Sequence, residues 1–194
     1  STNRKEISSV RESILAAGVR LLKERGIASL TQPRIAKAAG VKQSHLTYYF
    51  PKKGDLLLAI AEQTISRVTS DLAARMAQDR SHRALAQTLE SAMISGLPPR
   101  VIPGLIVAAD EDPSLRGPLR RLVRAVRARL RTVLADAGIR SDAQLRLFHA
   151  ALVGFALLHE ARRTRASARE IREGVAGALA LAAARRAKNR GRPR

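Results

Sequence analysis

A chain of 194 residues, 45% of them hydrophobic, is long enough to pack one large or two small domains. Its 36 lysines and arginines against 16 acidic residues give a net charge of +20, which places a polyanion high among its partners, nucleic acid ahead of an anionic membrane surface. The absence of cysteine excludes disulfides, thiolate nucleophiles and Cys-ligated zinc, and aromatics at 3% leave Leu, Ala, Val and Ile to fill a core, which favours helices.

The opening STNRKEISS carries charges of both signs and no apolar run. With no stretch able to span a bilayer, a cytoplasmic protein without a membrane partner is expected. From Ser9 to Arg25 apolar residues fall at Val10, Ile14, Ala17 and Leu21, spacings of four, three and four that predict one helical face. Ser9 and Glu12 form a capping-box pattern at its start and Gly26 stops it. Next comes the 25-residue stretch from Thr31 to Asp55, TQPRIAKAAGVKQSHLTYYFPKKGD, which reads as two short helices, a tight turn and a third helix start. Thr31 suits an N-cap, Pro33 a first turn, and Ile35, Ala36 and Ala39 make a small apolar face ended by Gly40. Val41 leads into a second segment, Gln43 to Phe50. Helices this short need support, and the preceding helix supplies it. Pro51 is expected to open a longer helix whose stripe of Leu57, Ile60, Ile65, Val68 and Leu72 runs toward Ala77.

Further breaks are predicted at Gly96 to Gly104, Asp112 to Pro118, Gly138 to Asp142 and Thr164 to Ser167, with helical segments between them. No sustained period-two pattern predicts a sheet. The fold class expected is all-α: a DNA-binding domain over residues 1–52, a larger helical domain over 53–188, and a basic disordered tail over 189–194. The Arg190-Gly191-Arg192-Pro193 run resembles the short core of an AT-hook, but four residues in an Arg-rich tail are a weak match and a simple solvated tail is the favoured reading.

The run from Thr31 through Ile35-Ala36, Gly40-Val41, Leu46, Tyr49-Phe50, Lys53 and Leu56 resembles the signature of TetR-family transcriptional regulators. The resemblance implies a three-helix helix-turn-helix domain on a larger helical domain that dimerises and binds a small molecule, releasing DNA as it does so. Two positions depart from the family pattern: Thr47 stands where a tyrosine is usual and Lys42 where a small N-cap is usual. Lysine cannot cap the helix but can neutralise a phosphate.

Base edges in the major groove are read near the start of a recognition helix. Gln43 can bond adenine N6 and N7 as a bidentate pair, Ser44 several bases, His45 a guanine acceptor, and Tyr48 lies one turn beyond Ser44. Thr31, Lys42, Thr47, Tyr49, Lys52 and Lys53 are the phosphate candidates. Lys52 and Lys53 in a first helical turn oppose the macrodipole, a conflict that a bound anion would resolve.

A twofold partner would place two such helices about one turn apart. The expected homodimer interface lies on the last two long segments, Leu145 to Arg163 and Ala168 to Arg186. Its candidates are Ala150, Gly154, Leu157, Leu158, Ala161, Gly174, Ala178, Leu181 and Ala182; burial inside a monomer is the alternative. An interhelical ligand pocket could draw on Met93, Leu97, Ile106, Phe148, Leu152 and Phe155, with His149 or Gln87 as polar contacts; plain core is the competing explanation. Arg120, Arg124, Arg127 and Arg131 form a stripe beside Leu119, Leu122, Val126 and Leu130, either solvated or facing an acidic partner, an anionic ligand or DNA.

No catalytic motif is present: Asp110, Glu111 and Asp112 suit a turn, and His45, His82, His149 and His159 have no metal-ligand spacing. The expected function is a non-enzymatic, cofactor-free transcriptional regulator, a repressor bound to a palindromic duplex operator and released by a small molecule. A nonspecific nucleoid-type DNA binder is the alternative.

Overall fold

A computed structural model describes residues 2–94, 96 and 98–190, with only the backbone at 2–8, 98 and 182–190. Among the described residues there are nine α-helices and no strand: α1 (Thr2–Arg25), α2 (Gln32–Ala39), α3 (Gln43–Tyr49), α4 (Lys53–Gln78), α5 (His82–Ile94), α6 (Pro98–Glu111), α7 (Arg116–Asp136), α8 (Asp142–Arg162) and α9 (Arg165–Arg190). Two 3-10 turns, Ile27–Ser29 and Pro113–Leu115, precede α2 and α7. The chain divides into two compact units. One takes residues up to Thr64 together with Arg100–Arg120; the other takes Ile65–Pro99 and the chain from Arg121 onward.

Within the first unit, Ile14, Ala17 and Leu21 of α1 are buried as their spacing predicts, while Val10 is half-buried. They meet Ile35 and Ala36 of α2, Leu46 of α3 and Leu56, Leu57 and Ile60 of α4 in one core. Gly18 permits a close helix approach: a Cβ there would fall 2.7 Å from Ile60 Cδ1. Gly40 ends α2 in the left-handed region at φ 67°, where glycine avoids the Cβ penalty.

Four expectations about helix limits are corrected. Ser9 does not cap α1, because the helix already runs from Thr2 through residues that favour helix. Pro51 precedes rather than opens α4, which starts at Lys53. The expected break at 96–104 is shorter: α6 starts at Pro98 and continues through Pro103, since prolines suit a first turn and one further in removes a single backbone donor. Likewise α7 begins at Arg116, with Pro118 inside its first turn.

The second unit packs Leu72 with Leu85, Leu89, Leu130, Leu134, Leu145, Phe148, Leu152, Ile171, Val175 and Leu179. Ser141 caps α8 in a full capping box: its hydroxyl accepts from Gln144 N at 3.2 Å and Gln144 Oε1 accepts from Ser141 N at 3.1 Å. At the α8 to α9 corner Thr164 and Ser167 exchange side-chain and backbone bonds, and the buried His159 Nδ1 lies 2.8 Å from Ser167 Oγ. α9 runs on to Arg190, two residues into the segment expected to be a disordered tail; the rest of that segment and most of the AT-hook-like run lie outside the described residues. No single helix among the described residues is long and apolar enough to cross a membrane.

Candidate nucleic-acid interface

The orientation of α3 is set by what its neighbours do with their backbone ends. The last carbonyls of a helix have no partner inside it. In α2 all four are taken: Ala36 O by Val41 N at 3.0 Å, Lys37 O by Gly40 N at 3.2 Å, Ala38 O by Arg20 Nη2 at 2.7 Å, and Ala39 O by Ser13 Oγ at 3.2 Å. Two of those donors come from α1. Gln32, the first residue of α2, donates from Nε2 to Phe50 O at 3.3 Å and so ties the start of α2 to the end of α3. Leu46, fully buried, and Phe50, under the Arg11 guanidinium at 5.5 Å, anchor α3 from below.

At 100° per residue, Ser44 and Tyr48 lie opposite Leu46, Thr47 and His45 flank them about 100° from Leu46 on either side, and Gln43, in the first turn, lies about 60° from it. All five are exposed, Tyr48 at 78%. The Tyr48 ring meets Tyr49 edge-on at 5.2 Å between centroids. The four base-reading candidates are therefore brought together on one solvent-facing helix.

The phosphate candidates are treated unequally. Lys42 sits at the α3 N-cap in extended conformation without a side-chain cap bond, and Thr31 occupies the α2 N-cap, also without one. Thr47 has committed its hydroxyl proton to Gln43 O at 3.0 Å, and Tyr49 is half-buried. Lys53 has no partner among the described residues. Lys52 is held: its Nζ lies 2.6 Å from Asp112 Oδ2. The macrodipole conflict expected at Lys52 and Lys53 is met from within the protein, because Asp55 in the first turn accepts from Lys52 N at 3.2 Å. Asp112 lies far along the sequence, which concealed the pairing; the acidic DEDP run was its visible signal. Hydrogen bonds from Lys52 and Ser114 hold the Asp112 carboxyl down to about 2, and the same Asp112 bond raises the Lys52 ammonium.

Residues 14–60 match the family of bacterial regulatory proteins, tetR family. The chain carries a TetR-family N-terminal domain. Over 113 residues it is 34% identical to the HTH-type transcriptional regulator CymR of Pseudomonas putida, covering 57% of this chain and 56% of that regulator; the chain thus matches about half the length of its curated relative. Three solved structures share the architecture. A TetR transcriptional regulator from Rhodococcus sp. RHA1 matches at TM-score 0.65 and 21% identity, over 91% of this chain and 97% of that one. The multidrug binding protein EbrR complexed with ethidium matches at 0.63 and 24%, over 87% and 97%. A TetR-family member from Streptomyces coelicolor A3 matches at 0.60 and 23%, over 87% and 97%. At these identities the likeness establishes the fold, and the TetR-like fold covers both units.

The ligand candidates are not gathered around one cavity. Phe148 and Leu152 are buried core, Met93 packs against that core, and Gln87 is exposed. Ile106, 55% exposed, belongs to the first unit, and Leu97 lies outside the described residues. His149 accepts from Arg127 Nε at 3.3 Å; burial first, then the Arg127 charge, lowers its pKa. Among the described residues, Phe148 and Phe155 line one groove between α8 and α9. Apolar periodicity marked these residues, and it does not distinguish a pocket wall from a core.

Of the interface candidates, Ala150, Leu158, Ala161 and Leu181 are exposed, the two leucines at 55% and 71%, and Gly154 and Leu157 are half-buried. Gly174 serves intramolecular packing: a Cβ there would fall 2.4 Å from the Phe155 ring. Ala178 packs against the second core, and the side chain of Ala182 lies outside the described residues. In the arginine stripe, Arg131 pairs with Asp142 at 2.6 Å and Arg127 meets His149, while Arg120 and Arg124 stay exposed.

Proposed function

We propose that this protein is a sequence-specific transcriptional regulator that binds a palindromic operator as a homodimer, acts as a repressor and leaves DNA when a small molecule binds. The observation that carries it is the exposed polar face of α3, Gln43, Ser44, His45 and Tyr48, mounted on backbone ends already tied down by Arg20, Ser13 and Gln32. A helix held this rigidly with its polar side chains unspent suits base reading in a major groove. Lys42 and Lys53 flank it as phosphate contacts.

Support for the homodimer comes from α8 and α9. Leu147 at 74% exposure, Leu158 and Leu181 are large apolar side chains facing solvent, and Ala151, Gly154 and Gly177 between them allow close helix approach. For the small molecule, support is limited to the fold shared with EbrR, solved with ethidium.

Selection of bound sequences from a random duplex pool tests the proposal. The expected winner is a twofold-symmetric site, bound by a species of dimer mass. Enrichment of no sequence, with binding that tracks only charge, would replace the regulator by a nonspecific DNA binder.

A further inference from the structure

Lys52 follows directly on the end of the reading helix, two residues past Phe50, and its side chain is 63% exposed. A lysine so placed is a natural phosphate contact, yet its ammonium is engaged by Asp112 at 2.6 Å. The carboxylate is oriented for this. Its other oxygen, Oδ1, accepts from Ser114 N at 3.1 Å and from Ser114 Oγ at 2.6 Å, which leaves Oδ2 for the lysine. Of the other nearby acids, Asp55 Oδ2 binds the Lys52 backbone amide, Asp110 meets Arg116 at 3.5 Å, and Glu111 lines the same cleft as Lys52 and Lys53 without an ion pair to either lysine. Lys53 has no carboxylate partner among the described residues.

We propose that Asp112 is an internal stand-in for DNA phosphate: it holds the Lys52 ammonium in the free protein and gives it up on binding, and so lowers affinity for every duplex alike. The geometry permits the exchange. The pair sits at the surface, where an ion pair contributes little net stability and a second anion can compete. The exchange replaces one oxygen acceptor by another on the same nitrogen, so nothing else in the unit need move. A phosphate contact carries no sequence information, so the effect falls on affinity and leaves base preference alone.

The proposal rests on the DNA-binding reading above and is tested by equilibrium binding of the full chain to a selected operator and to a random duplex over a range of salt. The variants are Asp112→Asn, Lys52→Gln and the two together, with Lys53→Gln as control. Asparagine still accepts from Ser114, so the turn is kept. Asp112→Asn should tighten both duplexes about two- to fivefold with the salt slope unchanged, because Lys52 reaches a phosphate in both proteins. Lys52→Gln, which removes one phosphate contact, should flatten the slope by about 0.9; in that background Asp112→Asn should give no gain, whereas Lys53→Gln should leave the gain intact. Ser114→Ala, which loosens the carboxylate without removing it, should move affinity the same way by less. Unchanged affinity in Asp112→Asn, or an equal gain with and without Lys52, overturns the proposal while the regulator reading stands. A wild-type chain that binds no duplex overturns both.

Discussion

The two units hold their helices in different ways. In the first, α2 and α3 are 8 and 7 residues long, too short to be stable alone, and their orientation depends on named polar bonds: Arg20 and Ser13 to the end of α2, Gln32 to the end of α3. In the second, α8 and α9 are 21 and 26 residues long and are held mainly by an aliphatic core with caps at the corners. The difference teaches where function sits. A short, polar-bolted helix can expose nearly its whole outer face, while a long helix must bury a stripe.

The largest test of that contrast removes the one apolar anchor α3 places in the core. Leu46→Ala should cost about 2–5 kcal/mol in denaturant unfolding and abolish duplex binding while leaving the protein's mass in solution unchanged. A cost below about 1 kcal/mol would mean that the polar bonds alone hold the helix. Gln43→Ala should leave stability untouched and lose about 1–3 kcal/mol of binding on the selected duplex, with no loss on random DNA; equal losses on both would remove Gln43 from base reading. Ser141→Ala, which breaks the α8 capping box, should lower stability by about 0.5–2 kcal/mol without altering DNA affinity. The smallest expected effect concerns pH. The depressed Asp112 carboxyl keeps its pairing above the ordinary carboxylate range and loses it only as pH falls toward about 2, and the raised Lys52 ammonium stays charged past its ordinary range. The affinity ratio of Asp112→Asn to wild type should therefore be flat from about pH 5.5 to 8.5. A ratio that climbs within that window would assign the effect to some other titrating group.

The first unit was legible because its residues have distinct jobs. Pro33, Gly40, Leu46 and Phe50 each answer a local requirement of turn or core, and spacing alone places them. What escaped was contact across long sequence distance. Asp112 and Lys52 are 60 residues apart, and no local pattern links the acidic run to the start of α4. Helix limits failed where a residue type has two uses: Ser9 can cap or sit mid-helix, and Pro103 can break a helix or be carried by one. In the second unit, periodicity found Phe148 and Leu152 but could not tell a core from a ligand wall, since both want the same side chains at the same spacing.

The closure of the α2 carbonyls has a consequence for altering this protein. The residues that hold α3, Ser13, Arg20, Gln32, Leu46 and Phe50, share no member with those on its outer face, Gln43, Ser44, His45 and Tyr48. The outer four can be randomised together in a library, and the ring contact this disturbs is the edge-on pair of Tyr48 with Tyr49. Retargeting to a new sequence then becomes a search over four positions on a fixed mount.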